Sequence, residues 1–146
     1  MSKLEKRVIV ITGAALGLGL ATAIEAARNG ASLSLVDYNA AALEEAKEKI
    51  RQEIPGTGVL TFVADVSDEA AVKNYVEETV KAFGRIDGFY NNAGIEGRQA
   101  LTADYDMAVF KKVIDINLMG VYYGMRYIIP VMQQQQYGRI VNAASV

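Results

Sequence analysis

The sequence predicts an α/β protein built on a doubly wound parallel sheet, and three observations carry that prediction. Short β-branched or apolar runs alternate with stretches of helical period, most of those stretches close at a Gly or a Pro, and the polar residues able to do chemistry fall where strands end. Right-handed crossovers then give the strand order 3-2-1-4-5. Ligands of such sheets sit outside the carboxyl ends of the strands where the order reverses, here between strands 1 and 4.

Val8-Ile9-Val10-Ile11 suits a strand buried on both faces, and Leu20, Ala23, Ile24 and Ala27 recur at helical spacing before Gly30 stops the helix. Leu33 to Val36 makes a second strand, Asn39 caps a helix carrying Leu43, Ala46 and Ile50, and Pro55-Gly56 ends it. Val59 to Val63 is a third strand. Ser67 is the expected cap of the next helix, whose stripe is Val72, Val76, Val80 and Phe83, with Gly84 closing it. Ile86 to Tyr90 is the fourth strand, a long helical pattern runs from about Asp104 to Gln135, and Arg139 to Asn142 is the fifth. The repeated strand–helix unit is that of a Rossmann-type sheet.

At 146 residues the chain suits one domain, and 51% apolar with 22% charged residues is the balance of a globule. It contains no Cys and no His, which removes disulfides, Cys nucleophiles, the Ser-His-Asp triad and the usual ligands of transition metals, so no metal site is expected, with a carboxylate magnesium site the one alternative left open in principle. A net charge of -2 offers no footprint for nucleic acid. Lys3, Lys6 and Arg7 before an apolar stretch imitate a signal peptide, but Gly13, Gly17 and Gly19 break that stretch, and no run reaches membrane-spanning length. A cytoplasmic protein is expected.

Thr12-Gly13-Ala14-Ala15-Leu16-Gly17-Leu18-Gly19 joins the first strand to the first helix. Glycines there turn the chain tightly and bring backbone N–H groups and a helix N-terminus against a pyrophosphate. Alone, such a turn is weak evidence, with a purely structural turn as the competing account. Asp37, at the end of the second strand, stands where a carboxylate accepts hydrogen bonds from adenosine ribose hydroxyls and repels a 2′-phosphate. No basic residue stands at Ala14, Ala15 or Tyr38, so the cofactor read from these residues is NAD. A plain helix-terminal charge is the competing account of Asp37. Asp65-Val66 ends the third strand and Asn91-Asn92-Ala93-Gly94 the fourth, on the same edge, although each alone reads as loop or turn. Asn117 interrupts the apolar run Val113 to Leu118 and needs partners if buried, as any core Asn does.

As a set these residues resemble the short-chain dehydrogenase/reductase family over residues 7 to 146. The turn matches its Gly-x-x-x-Gly-x-Gly fingerprint through Gly13, Gly17 and Gly19; Asp37 matches its NAD selector, Asp65-Val66 its adenine contact, and Asn91, Ala93 and Gly94 belong to its Asn-Asn-Ala-Gly segment. The resemblance places the catalytic Asn at Asn117 and the catalytic Ser at Ser145. It implies hydride transfer between a nicotinamide and a secondary alcohol or ketone. Gly84 to Phe89 and Asn91 to Gly97 resemble members acting on cyclic ketones.

The family's proton-transferring Tyr-x-x-x-Lys is not found: none of the eight tyrosines has a lysine four residues on, and Tyr122 with Arg126 comes nearest. An N-terminal part of an NAD-binding Rossmann domain is therefore expected, ending after the fifth strand, inactive alone, with Arg139 to Asn142 as an open edge. A homo-oligomer, a tetramer in the family, is expected through the pattern 104–135. The rivals are a non-catalytic dinucleotide-binding or assembly module and, more remotely, a methyltransferase with a related sheet.

Overall fold

The β-branched run forms the central strand β1 (Val8–Thr12), which pairs in parallel with β2 (Ser32–Asp37) and β4 (Gly88–Asn91). β2 pairs with β3 (Val59–Val63) and β4 with β5 (Arg139–Asn142), giving the order β3-β2-β1-β4-β5. The predicted doubly wound sheet is therefore the observed one. This is a computed structural model, and it describes residues 3–144.

Alternation along the strands explains why both faces are covered. Ile11, Leu33 and Leu35 point to the face packed by α1 (Gly17–Arg28) and α2 (Ala40–Glu53), with Ala23, Ala27, Leu43 and Ile50. Val10, Val36 and Phe89 point to the other face, where they meet Val72 and Val76 of α3 (Glu69–Phe83) and Ile128 and Met132 of α5 (Gly120–Gln134). Each such fully buried aliphatic side chain stabilises the fold by about 1.5–3 kcal/mol relative to exposure. One polar pair is admitted on the second face: the Ser34 and Thr79 hydroxyls lie 2.7 Å apart, and Thr79 Oγ1 also donates to the Tyr75 carbonyl.

Three local expectations need correction. The cap of α3 is Asp68, whose Oδ1 accepts the Ala70 and Ala71 amides, while Ser67 instead donates to Asp65. The fourth strand begins at Gly88, because Ile86 is bonded to the Gln135 side chain rather than to a neighbouring strand. The long helical pattern is not one helix from Asp104. A short 3-10 turn at Thr102–Asp104 precedes α4 (Met107–Ile114), which Asp106 caps through the Ala108 and Val109 amides. A π-turn at Asp115–Met119 then joins α4 to α5. Such a turn adds one residue to the helix and marks a local compromise between helix and tertiary contacts.

Candidate functional site

The carboxyl ends of the strands surround an open cavity of about 340 Å³, within the size range of small-molecule sites. Its wall draws on the glycine turn (Gly13, Leu16), the end of β2 (Asp37), the residues after β3 (Asp65, Val66) and the loop after β4 (Ala93, Gly94). These distant segments converge because parallel strands all deliver their carboxyl ends to one edge of the sheet.

The turn is built around its glycines. Gly13 and Gly17 have φ of 62° and 55°, a region that suits glycine, and a Cβ on Gly19 would collide with the Gly13 carbonyl. Leu16 opens α1 without any side-chain cap, so the first-turn N–H groups remain available to an anion. Leu18 is exposed beside the turn, and neither it nor Gly17 and Gly19 lines the cavity; the two glycines shape the loop instead.

Thr12, fully buried, serves as a clamp. Its hydroxyl accepts the amides of Asn92 and Ala93, each at 3.0 Å, while Asn92 Nδ2 donates to the Thr12 and Gly13 carbonyls at 3.1 and 3.2 Å. The end of β1 and the loop after β4 are thus bound together. Asp37 ties the turn from the other side: its Oδ2 accepts the Ala15 amide at 3.0 Å and its Oδ1 the Asn39 amide at 3.0 Å. Asp65 Oδ1 accepts both the amide and the hydroxyl of Ser67, at 2.9 and 2.7 Å. Val66 is buried where Gly120 lets α5 pass, since a Cβ on Gly120 would lie 2.7 Å from Val66 Cγ2.

Asn91, expected among the cofactor contacts, turns away from the cavity. It is buried, and its Nδ2 donates to the Val121 carbonyl at 2.9 Å and to Asn142 Oδ1 at 3.2 Å, joining β4 to α5 and β5. Asn92 takes the cavity wall in its place. Asn117, which the sequence said would need partners if buried, is exposed, yet both ends of its amide are engaged. It sits in the π-turn and pairs with both backbone groups of Ile95. Ser145 lies outside the described residues.

The cavity also includes Tyr38, noted in the sequence only for not being basic, and Ala64, Ile95, Lys112 and Ile116, which the sequence did not single out as site residues. Lys112 and Ile116 are four residues apart and so share a helix face, but nothing in the sequence says which face looks at the sheet edge. Among the described residues, no group of three or more acidic side chains is placed to hold a metal.

A cleft at the reversal point of a 3-2-1-4-5 sheet, opened by a glycine turn, defines a nucleotide-binding α/β domain of the Rossmann type. Within that class, the chain belongs to the short chain dehydrogenase family, whose profile matches residues 7–146. It is 51% identical over 140 residues to the levodione reductase of Leifsonia aquatica, covering 96% of this chain and 52% of that relative. A crystal structure of levodione reductase superposes with a TM-score of 0.95 at 50% identity, over 98% of this chain and 55% of that one. An NAD+-bound xylitol dehydrogenase gives 0.93 at 39% identity, over 98% and 54%. The chain thus spans about half the length of the curated relatives it matches.

Proposed function

We propose that the chain is the cofactor-binding part of an NAD-dependent oxidoreductase that interconverts a secondary alcohol and a ketone, cyclic ketones included. The observation that carries this reading is the Asp37 carboxylate, which lines the same cavity as the glycine turn. NAD, when bound, supplies the hydride chemistry. Asp37 accepts the ribose hydroxyls and disfavours a 2′-phosphate, the uncapped start of α1 receives the pyrophosphate, and Asp65-Val66 receives the adenine. Ala93 and Gly94 flank the nicotinamide side, where Asn117 holds the loop. The family resemblance assigns Ser145 to the substrate oxygen and Asn117 to the proton path.

A tyrosine that transfers the substrate proton needs a nearby cation to bring its pKa down from about 10. No tyrosine of these residues has a lysine four positions on, so the 146 residues alone are proposed to turn over little. The exposed apolar stripe of Met107, Phe110, Ile114, Leu118 and Tyr122 supports a homo-oligomer built through α4 and α5. No helix of the described residues is long and apolar enough to cross a membrane, and a cytoplasmic location belongs to the same proposal.

The test is a titration of the intact protein with NADH, NADPH and S-adenosylmethionine, followed by turnover on secondary alcohols and on linear and cyclic ketones. Tighter binding of NADH is expected, with NADH-linked ketone reduction by the full-length protein and little by the 146 residues alone. NADH binding by the full-length protein without turnover of any substrate points to the non-catalytic module. Preference for S-adenosylmethionine points to a methyltransferase.

A further inference from the structure

The cavity is lined by three charged side chains: Asp37, Asp65 and Lys112. The two carboxylates oppose the entry of a polyanion, and the glycine turn between Gly13 and Gly19 brings no cation of its own. Lys112 lies in the last turn of α4, one turn before Ile116, and both side chains face the cavity. The ion pairs of the described residues engage Lys47, Lys73 and Lys81 with nearby glutamates but leave Lys112 out. Both Asp37 oxygens and one of Asp65 are already accepting hydrogen bonds. Among the described residues the ammonium is the one cation on the wall, and none of those ion pairs engages it.

We infer that Lys112 is a further binding residue of this cavity, an ammonium that attracts the phosphates of the dinucleotide and offsets the repulsion from Asp37 and Asp65. The inference rests on the cofactor reading above. A lysine suits the task because it is a compact charge on a flexible stem, able to follow the ligand without the fixed fork of an arginine. Its neighbour Lys111 is equally exposed but does not line the cavity, which makes it the natural control.

Binding of NADH, ADP-ribose and adenosine is measured on the intact protein and its Lys112→Gln, Lys112→Arg and Lys111→Gln variants, at low and high salt. At low salt Lys112→Gln weakens NADH and ADP-ribose by about three- to tenfold, as expected for one partly solvated charge pair. Lys112→Arg keeps most of the affinity, adenosine is unaffected, and the deficit of Lys112→Gln narrows at high salt as screening grows. Lys111→Gln behaves like the unsubstituted protein, and all variants melt at its temperature because both lysines are exposed. Equal losses in Lys111→Gln and Lys112→Gln, a loss that extends to adenosine, or unchanged NADH affinity in Lys112→Gln overturns the role of Lys112 and leaves the cofactor reading in place. Absence of NADH binding to the unsubstituted protein overturns the cofactor reading, and this inference with it.

Discussion

Asn117 pairs with Ile95 as one backbone segment pairs with another: its Nδ2 donates to the Ile95 carbonyl and its Oδ1 accepts the Ile95 amide, both at 2.9 Å. The π-turn therefore holds the loop after β4 through a side chain, across 22 residues of sequence. Gly94 makes room for this contact, since a Cβ there would sit 3.3 Å from Asn117 Oδ1.

Asn117→Ala removes both bonds. At about 0.5–1.5 kcal/mol for each hydrogen bond, the loss is small for global stability but large for one exposed loop. Amide exchange at Ile95 is expected to accelerate by at least about tenfold, with little change in melting temperature. Unchanged exchange at Ile95 would show that other contacts hold the loop.

Asp37 accepts the Ala15 amide and is proposed to select NAD, and one substitution separates the two. In Asp37→Ala the preference for NADH over NADPH is expected to fall, because the carboxylate that repels a 2′-phosphate is gone. The Ala15 amide also loses its acceptor, so its exchange quickens. Asp37→Asn keeps an oxygen for Ala15 while losing the charge, and is expected to restore slow exchange without restoring the preference. An NADH preference that survives Asp37→Ala would reject the selector role.

Asp87 anchors the opposite edge of the sheet. Burial by itself would raise its carboxyl, but hydrogen bonds from Arg85, the Val8 amide and Arg7, together with the Arg85 charge, hold it below the usual carboxylate range. A carboxyl lowered on folding contributes stability above its unfolded value and loses that contribution as pH falls through the folded one. Asp87→Asn is therefore expected to destabilise the protein by about 2 kcal/mol at neutral pH, below the range for fully buried pairs because Arg7 and Arg85 are partly exposed. The deficit should shrink as pH falls below the ordinary carboxylate value of about 4, where the unfolded carboxyl protonates while the native one is still ionised, and go on shrinking as pH falls through the lower folded value. Denaturant melts at several pH values check this, and a deficit that grows in acid contradicts it.

Tyr75 is buried among Val72, Val76 and Phe89, and its hydroxyl has no hydrogen-bond partner. The same burial drives its pKa upward. Tyr75→Phe removes an unsatisfied polar group while keeping the ring beside Phe62, and is expected to stabilise the chain by about 1 kcal/mol in a thermal melt. A lower melting temperature would mean that the hydroxyl has a partner in solution.

The sequence by itself determined the sheet order, the two cores and the edge at which the site lies. Those follow from local patterns: β-branched runs that only a doubly covered strand can bury, helical stripes such as Val72 and Val76, and glycines at positions like Gly13 that other residues seldom adopt. Asp37 was legible for the same reason, since its place at a strand end is fixed by chain spacing. Only the tertiary structure decided what depends on contacts between distant segments. Asn91 and Asn92 are adjacent and chemically identical, yet one faces α5 and β5 while the other lines the cavity, because Asn91 is the last residue of β4 and Asn92, just beyond it, is held to the end of β1 through Thr12 and Gly13. The break in the long helix, the exposure of Asn117 and the cavity-facing position of Lys112 likewise follow from how α4 and α5 pass the sheet, which helical periodicity does not encode.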